Sequence, residues 1–271
     1  MLIDSHCHLD ASVFKKHRTQ IIQSAQSAGV RAIVIPAVDI NNFAAVRDVA
    51  HQFDGGFYAL GIHPMYVHSS DIKDLECLAD AIEEALVDPR FVGIGEIGLD
   101  FFVKDIAEGA AREKQEYFFN EQLKLARRFD LPVILHVRRS QDTILKYLRR
   151  YDGLSGIAHA FNGSEQQADQ FIKLGYLLGM GGAMTFDRAK QIRRHAVKYE
   201  LQHYALETDS PDMAPSWLDT DSTSNTPDQI ARIAEVFAEL RKQSLAEIQK
   251  QTGENVLNIF PRMQQLIEHN T

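Results

Sequence analysis

A (β/α)8 barrel, with its functional mouth at the carboxyl ends of the strands, is the fold class that the sequence predicts. Three observations predict it. Short apolar runs of β-forming residues alternate with longer helical patterns almost to the end of the chain, and eight such runs can be counted. The length of 271 residues suits one such barrel occupying 1–271 as a single domain. The first strand runs into Asp4-Ser5-His6-Cys7-His8, where an open doubly wound sheet usually carries a Gly-rich phosphate loop.

The elements follow in order. The opening strand begins at Leu2. Ile21, Ile22, Ala25 and Ala28 recur at helical spacing and Gly29 can end that helix. Arg31 to Pro36 reads as the second strand, Asn42 to His51 as a helix, and Phe57 to Ile62 as the third strand. Leu75, Leu78, Ile82 and Leu86 mark a helix closed by Asp88-Pro89, before a fourth strand from Phe91 to Ile97. A long helix carries Phe118, Phe119, Leu123, Ala126 and Phe129 on one side. Pro132 to Val137 and Leu154 to His159 are strands five and six. Ser164 and Gln167 form a capping-box pattern for a helix that stops at Gly175. Tyr176 to Gly182 and Tyr204 to Thr208 are the last two strands, and helical stretches from Pro227 to Lys242 and from Leu245 to about Phe260 finish the chain. Pro211 to Pro227 reads as a long loop over one end of the barrel.

Composition narrows the function class. Hydrophobic content of 45% and charged content of 24% are ordinary for a globular protein. No apolar run is long enough to cross a membrane and no leader pattern opens the chain, so a cytoplasmic location is expected. Cys7 and Cys77 suit a reducing compartment and are expected to be buried. A net charge of −8 is not the footprint of a protein that coats duplex nucleic acid. It leaves a nuclease open, because divalent cations held at one mouth would give a phosphate a local positive field.

Side-chain alternation along a strand puts His6 and His8 on one face, about 7 Å apart, with Cys7 pointing away. Glu96 falls at the end of strand four, His136 of strand five and His159 of strand six, and Asp209 follows strand eight. In a barrel these positions form one ring around one mouth. Six ligands exceed what a single open tetrahedral site needs. They divide as His6, His8 and Asp209 on one ion, His136 and His159 on a second, and Glu96 between the two. A set of four imidazoles and two carboxylates favours Zn, Mn, Fe or Co over Mg. His63, in Gly61-Ile62-His63-Pro64, also ends a strand and is a candidate for contact with substrate. Either Arg138 or Arg139 could fork onto a phosphate; Arg138 shares the face of His136 by alternation. Asp4 and Asp10 are read as supporting or capping residues. Glycines 179, 181 and 182 are read as allowing close backbone approach near the mouth, and Met213 and Trp217 as possible substrate contacts or a cover.

The residues that carry a family resemblance run nearly end to end. They are Asp4-Ser5-His6-Cys7-His8-Leu9-Asp10, Gly61-Ile62-His63-Pro64, Gly95-Glu96-Ile97-Gly98-Leu99-Asp100, and Gln122 to Ala126. Pro132 to His136, His159-Ala160-Phe161-Asn162-Gly163-Ser164, Glu207-Thr208-Asp209-Ser210-Pro211 and Asn225-Thr226-Pro227 complete the set. On these motifs the chain resembles the TatD-related metal-dependent hydrolases of the amidohydrolase superfamily. The resemblance implies a binuclear site, with Glu96 in the bridging place that a modified lysine holds in many relatives. It also implies metal-dependent phosphodiester hydrolysis, with deoxyribonuclease activity (3′–5′ exonucleolytic, on single-stranded DNA) as the family's label. Met65 stands where many members carry a second histidine, and Asn258 where an arginine is common; both departures bear on substrate choice.

The expected enzyme is therefore a hydrolase with two divalent ions (Zn, Mn, Co or Mg, with Zn or Mn favoured). A hydroxide bridging the ions would attack phosphorus in line, held or deprotonated by Asp209, with Arg138 stabilising charge on the non-bridging oxygens. Its partner would be single-stranded DNA or a small phosphodiester, and no obligate protein partner is evident. The alternative is hydrolysis of a carboxyl ester or amide, such as an aminoacyl ester on tRNA, since the same centre can attack a carbonyl carbon.

Overall fold

Eight parallel strands pair in chain order in the computed structural model, which describes residues 1–218 and 225–269. They are β1 (Leu2–Asp4), β2 (Val30–Pro36), β3 (Gly56–Leu60), β4 (Phe91–Asp100), β5 (Val133–Arg138), β6 (Gly156–His159), β7 (Tyr176–Met180) and β8 (Tyr204–Leu206). Consecutive parallel neighbours require crossovers, and helices supply them. These are α1 (Arg18–Ser27), α2 (Phe43–Ala50), α3 (Lys73–Ala85), α4 (Gly109–Phe129), α5 (Gln141–Leu148), α6 (Glu165–Lys173) and α7 (Lys190–Lys198). The sheet curls until β8 meets β1. There, Ser5 N donates to the Leu206 carbonyl (3.0 Å), Asp209 N to the His6 carbonyl (2.9 Å) and His8 N to the Ser210 carbonyl (2.8 Å). The barrel expected from the sequence is the fold observed.

Alternation along the strands produces two apolar clusters. One set of strand residues, with Ile33, Ile35, Tyr58, Leu135 and Leu178, packs outward against Ile82, Phe119, Leu123, Phe171 and Phe237 of the helices. The alternate set, including Ile3, Val34, Phe57, Val92, Ile134 and Ile157, forms a separate inner cluster. Phe260, Met263 and Ile267 of the C-terminal segment join this inner set. They come from the end of α9 (Leu245–Ile259) and from α10 (Pro261–His269), which follow α8 (Ile230–Arg241). Arg262 fixes the segment at the amino end of β4 by donating to the carbonyls of Leu86 (2.8 Å), Asp88 (2.9 Å) and Phe91 (2.6 Å). The apolar plug thus closes the end opposite the mouth.

Several boundaries differ from the sequence reading. β4 runs on to Asp100, and β7 stops at Met180 instead of Gly182. The sequence reading passes over α5, α7 and α10, although α5 buries Ile144, Leu145 and Leu148 and α10 buries Met263 and Ile267. α5 is only eight residues long, and α7 buries just His195 and Ala196. Both capping boxes are formed: Ser164 with Gln167, foreseen, and Ser244 with Glu247. Cys7 is buried as expected, but Cys77 is exposed on the outer side of α3. Residues 219–224 of the long loop lie outside the described residues. Among those described, no helix is long and apolar enough to cross a membrane.

One buried carboxyl ties the closure together. Asp4 Oδ1 accepts from Thr208 N (2.9 Å) and His6 N (3.3 Å), and Oδ2 accepts from the Thr208 hydroxyl (2.6 Å). Burial pushes its pKa up to about 8 in spite of these bonds. Asp4→Ala, which strands these donors, is expected to lower stability by roughly 3 kcal/mol. Asp4→Asn, neutral and still an acceptor, should cost less. Urea unfolding followed by circular dichroism measures both.

Candidate metal centre

Closure brings together side chains separated by some two hundred positions. His6 Nε2 and His8 Nε2 lie 3.2 Å apart. Glu96 Oε2 is 3.2 Å from His6 Nε2 and 3.5 Å from His8 Nε2. Asp209 Oδ1 is 3.5 Å from His6 and 3.7 Å from His8. An ion held at about 2.1 Å by tetrahedral ligands requires ligand atoms about 3.4 Å apart, so His6, His8 and Asp209 have the spacing of a coordination shell, and Glu96 reaches the two imidazoles at the same spacing. The sequence pattern explains the alignment. His6 and His8 alternate with Cys7, which is fully buried in the outer core, so both imidazoles face the mouth. Asp209 reaches them from a left-handed backbone (φ 56°), a conformation that aspartate tolerates better than most residues.

A second set shares Glu96. Its Oε1 is 3.0 Å from His136 Nδ1 and 3.4 Å from His63 Nε2, and those two nitrogens are 3.1 Å apart. A third grouping consists of His6, Glu96 and His159. The sequence reading instead paired His136 with His159 and gave His63 to the substrate. Strand order explains the difference. β3 and β5 flank β4, so His63 and His136 converge on Glu96 from either side. His159, at the end of β6, stacks on His6 with ring centroids 3.8 Å apart and reaches Asp209 Oδ2 at 3.4 Å. All six expected ligand positions, together with His63, therefore meet at one mouth. Their atoms fit divalent cations, with Glu96 offering one oxygen to each side.

Two carboxylates that had been given no role hold the imidazoles in place. Asp100 Oδ2 is 3.0 Å from His136 Nε2, while its Oδ1 accepts from the backbone of Phe102 and Val103. Glu207 Oε1 lies 3.1 Å from His159 Nδ1 and accepts from Ala160 N (2.6 Å). Gly179 is glycine for that reason: a Cβ there would come within 2.3 Å of the Glu207 carboxylate. A signal for both carboxylates was present, since each ends or follows a strand with the parity of a ligand: Glu207 two before Asp209, and Asp100 four after Glu96. Two buried glutamines of α4 brace the loops. Gln122 exchanges hydrogen bonds with the backbone of Ile62 (2.7 and 3.0 Å), and Gln115 does so with Asp100 (2.9 and 3.2 Å). Trp217 turns aside to donate to Gln229, whereas Met65 and Met213 line the cavity. Asn258 is exposed on α9. Asp10 accepts from Asn42 at the cavity wall.

The sequence and the fold both lead to one family. A family model described as TatD related DNase matches residues 3–261. The chain belongs to the TatD family of metal-dependent hydrolases. It is 39% identical over 259 residues to the metal-dependent hydrolase YjjV of Escherichia coli, covering 95% of this chain and 97% of that one. Human deoxyribonuclease TATDN3 is 28% identical over 274 residues, covering 98% and 97%. The crystal structure of the YjjV protein superposes with a TM-score of 0.89 at 38% identity, over 96% of this chain and 98% of that one. A TatD-family hydrolase from Entamoeba histolytica shares the fold at 19% identity, with a TM-score of 0.82.

Charge in this TatD-family mouth is balanced between imidazoles and carboxylates. Burial opposes ionisation of Glu96, yet His63, His6 and His136 hold its carboxyl well below the usual range. Asp209 falls to about 2 because His159, His6 and His8 outweigh burial. Burial works against a charged His8, but Glu96 and Asp209 raise its pKa to about 9. His159 lies well above its ordinary value because Glu207 and Asp209 outweigh burial, and His136 is raised in the same way by Asp100 and Glu96. Imidazoles must lose their protons to ligate. Metal uptake near pH 7 is therefore expected to release protons, and affinity should rise with pH towards 9. Calorimetry of zinc binding in buffers of differing ionisation enthalpy measures this. Glu207→Gln is expected to weaken metal binding about 10–100-fold, read by competition with a chromogenic chelator.

Proposed function

We propose that this hydrolase cleaves phosphodiester bonds in single-stranded DNA, working from a free 3′ end with two divalent cations, zinc or manganese. One observation carries the proposal. Two ligand sets joined through the two oxygens of Glu96 open into a cavity of about 1360 Å³ whose rim bears Arg138 and Arg139. The name of the human relative, deoxyribonuclease TATDN3, supports it. An imidazole-rich ligand set favours borderline cations over magnesium. Bound there, the cations would supply Lewis acidity and a water acidic enough to be a nucleophile at neutral pH.

The chain's own groups do the rest. His6, His8, His136, His159, Glu96 and Asp209 hold the charge of the centre, and Glu96 sets the separation of its halves. Asp209, ionised throughout the neutral range, orients the attacking water by accepting its hydrogen bond and can take its proton at a carboxylate oxygen. His63 stands with His136 on the other side of Glu96 and belongs to that ligand set, while Arg138 lines the cavity beyond the ligands and binds a phosphate of the substrate strand.

The metal-loaded protein is expected to shorten single-stranded DNA bearing a free 3′ hydroxyl, and to act slowly on the same strand with a blocked 3′ end. Glu96→Ala should lose at least about three orders of magnitude in kcat while keeping its circular dichroism spectrum. An aminoacyl ester assayed beside the DNA is the opposing arm. If the ester is cleaved and the DNA is left intact, the phosphodiester reading fails.

A further inference from the structure

At one edge of the mouth, immediately past β4, Phe102 stands 44% exposed. The guanidinium carbons of Arg138 and Arg139 lie 3.9 and 4.6 Å from its ring centroid. All three residues line the mouth cavity. Consecutive residues of a strand point to opposite faces, so two adjacent arginines on one ring need an explanation. The backbone supplies it: β5 ends at Arg138, and Arg139 adopts a left-handed conformation (φ 56°), uncommon for a residue other than glycine. That turn folds Arg139 back beside its neighbour.

Two like charges held against one aromatic ring call for an anion. The carboxylate in ion-pair range of Arg138 is Asp100, 3.9 Å away, and it already serves His136 and the backbone of Phe102 and Val103. Arg139 has no salt bridge to a carboxylate among the described residues. In a chain of net charge −8 this is a local cationic pole, while Asp10, Asp39 and Asp212 line other parts of the same cavity. An anionic strand would be steered to the arginine side.

We propose that Phe102, Arg138 and Arg139 form a subsite for a second phosphate, one nucleotide along from the bond that is cleaved. The proposal rests on the phosphodiester reading above and names what that site prefers: a strand rather than an isolated diester. Arg138 lies two residues beyond His136 on β5, about 7 Å along the strand. The subsite is therefore beside the ligand cluster and separate from it. Each guanidinium can fork onto phosphate oxygens, and both rest against the Phe102 ring. Its exposed edge is available to the neighbouring base.

Two measurements on the metal-loaded protein test this. The first compares kcat/KM for the thymidine dinucleotide with one internal phosphate and for the same dinucleotide carrying an added 5′-terminal phosphate, its 3′ hydroxyl left free. The wild type is expected to prefer the second substrate at least ten-fold, and the Arg138→Ala/Arg139→Ala protein to lose that preference. The second follows binding of a hydrolysis-resistant, fluorescein-labelled hexathymidylate across a salt titration. Arg139→Ala should reduce the slope of log K against log salt by about 0.7, the value for one phosphate contact on a single strand. Arg139→Lys, which keeps the charge, should restore the slope, and Phe102→Ala should weaken binding by a smaller factor. No preference in the wild type, or variants with unchanged preference and slope, would overturn the subsite. Turnover of bis(p-nitrophenyl) phosphate by the wild type reports separately on the phosphodiester reading, so the two can fail independently.

Discussion

The hydrogen-bonded seam between β8 and β1 is the constraint on which everything at the mouth depends. It is short: β1 and β8 have three residues each, and contacts such as Asp209 N to the His6 carbonyl and His8 N to the Ser210 carbonyl join the segments just past their ends. These segments carry His6, His8 and Asp209, so one set of backbone bonds both closes the barrel and sets the spacing of three ligand atoms. Asp4 reinforces it from inside by gripping Thr208, and the Thr208 hydroxyl in turn accepts from the Ser210 hydroxyl (2.8 Å). Stability and chemistry meet at this seam.

Elsewhere the two are kept apart. The apolar inner cluster is sealed at the amino ends of the strands by Phe260, Met263 and Ile267, far along the barrel from the ligands. Ligand side chains at the carboxyl ends contribute little to that packing. They form a concentrated polar island, with Glu96 and His6 almost wholly buried. Such an island persists only if each charge has a partner. Imidazoles around Glu96 supply that balance, and the outer carboxylates Asp100 and Glu207 orient the imidazoles in turn. Asp100 extends the arrangement outward. By binding both His136 and the backbone of Phe102, it couples the position of a ligand to the position of the cationic rim. A shift at the rim would be felt at the centre through one carboxylate.

Much of this could be read from residue order. The alternation of apolar runs with helical patterns gave the barrel, because parallel strands buried on both faces must be continuous and apolar and must be joined by helices. Strand-end positions gave the ring of ligands, because a barrel collects the carboxyl ends of its strands at one mouth. α5 and α7 escaped notice for a physical reason. α7 is polar and buries just His195 and Ala196, and α5 has only one short apolar side, Ile144, Leu145 and Leu148; helices this short owe their stability chiefly to tertiary packing. The exposed Cys77 shows the converse, a small apolar residue placed outside because its helix turns that side to solvent.

The amino-acid sequence by itself therefore determined the fold class, the mouth that carries the chemistry and six of the seven ligand-type side chains that meet there, since all three follow from local periodicity and from the position of a residue in its strand. Only the tertiary structure decided which of them are neighbours. Grouping His136 with His63, stacking His159 on His6, and setting Asp100 and Glu207 behind the imidazoles depend on strand order, on side-chain direction across the mouth and on the turns that follow each strand. Those are distances between residues remote in the chain, and no spacing along the sequence encodes them.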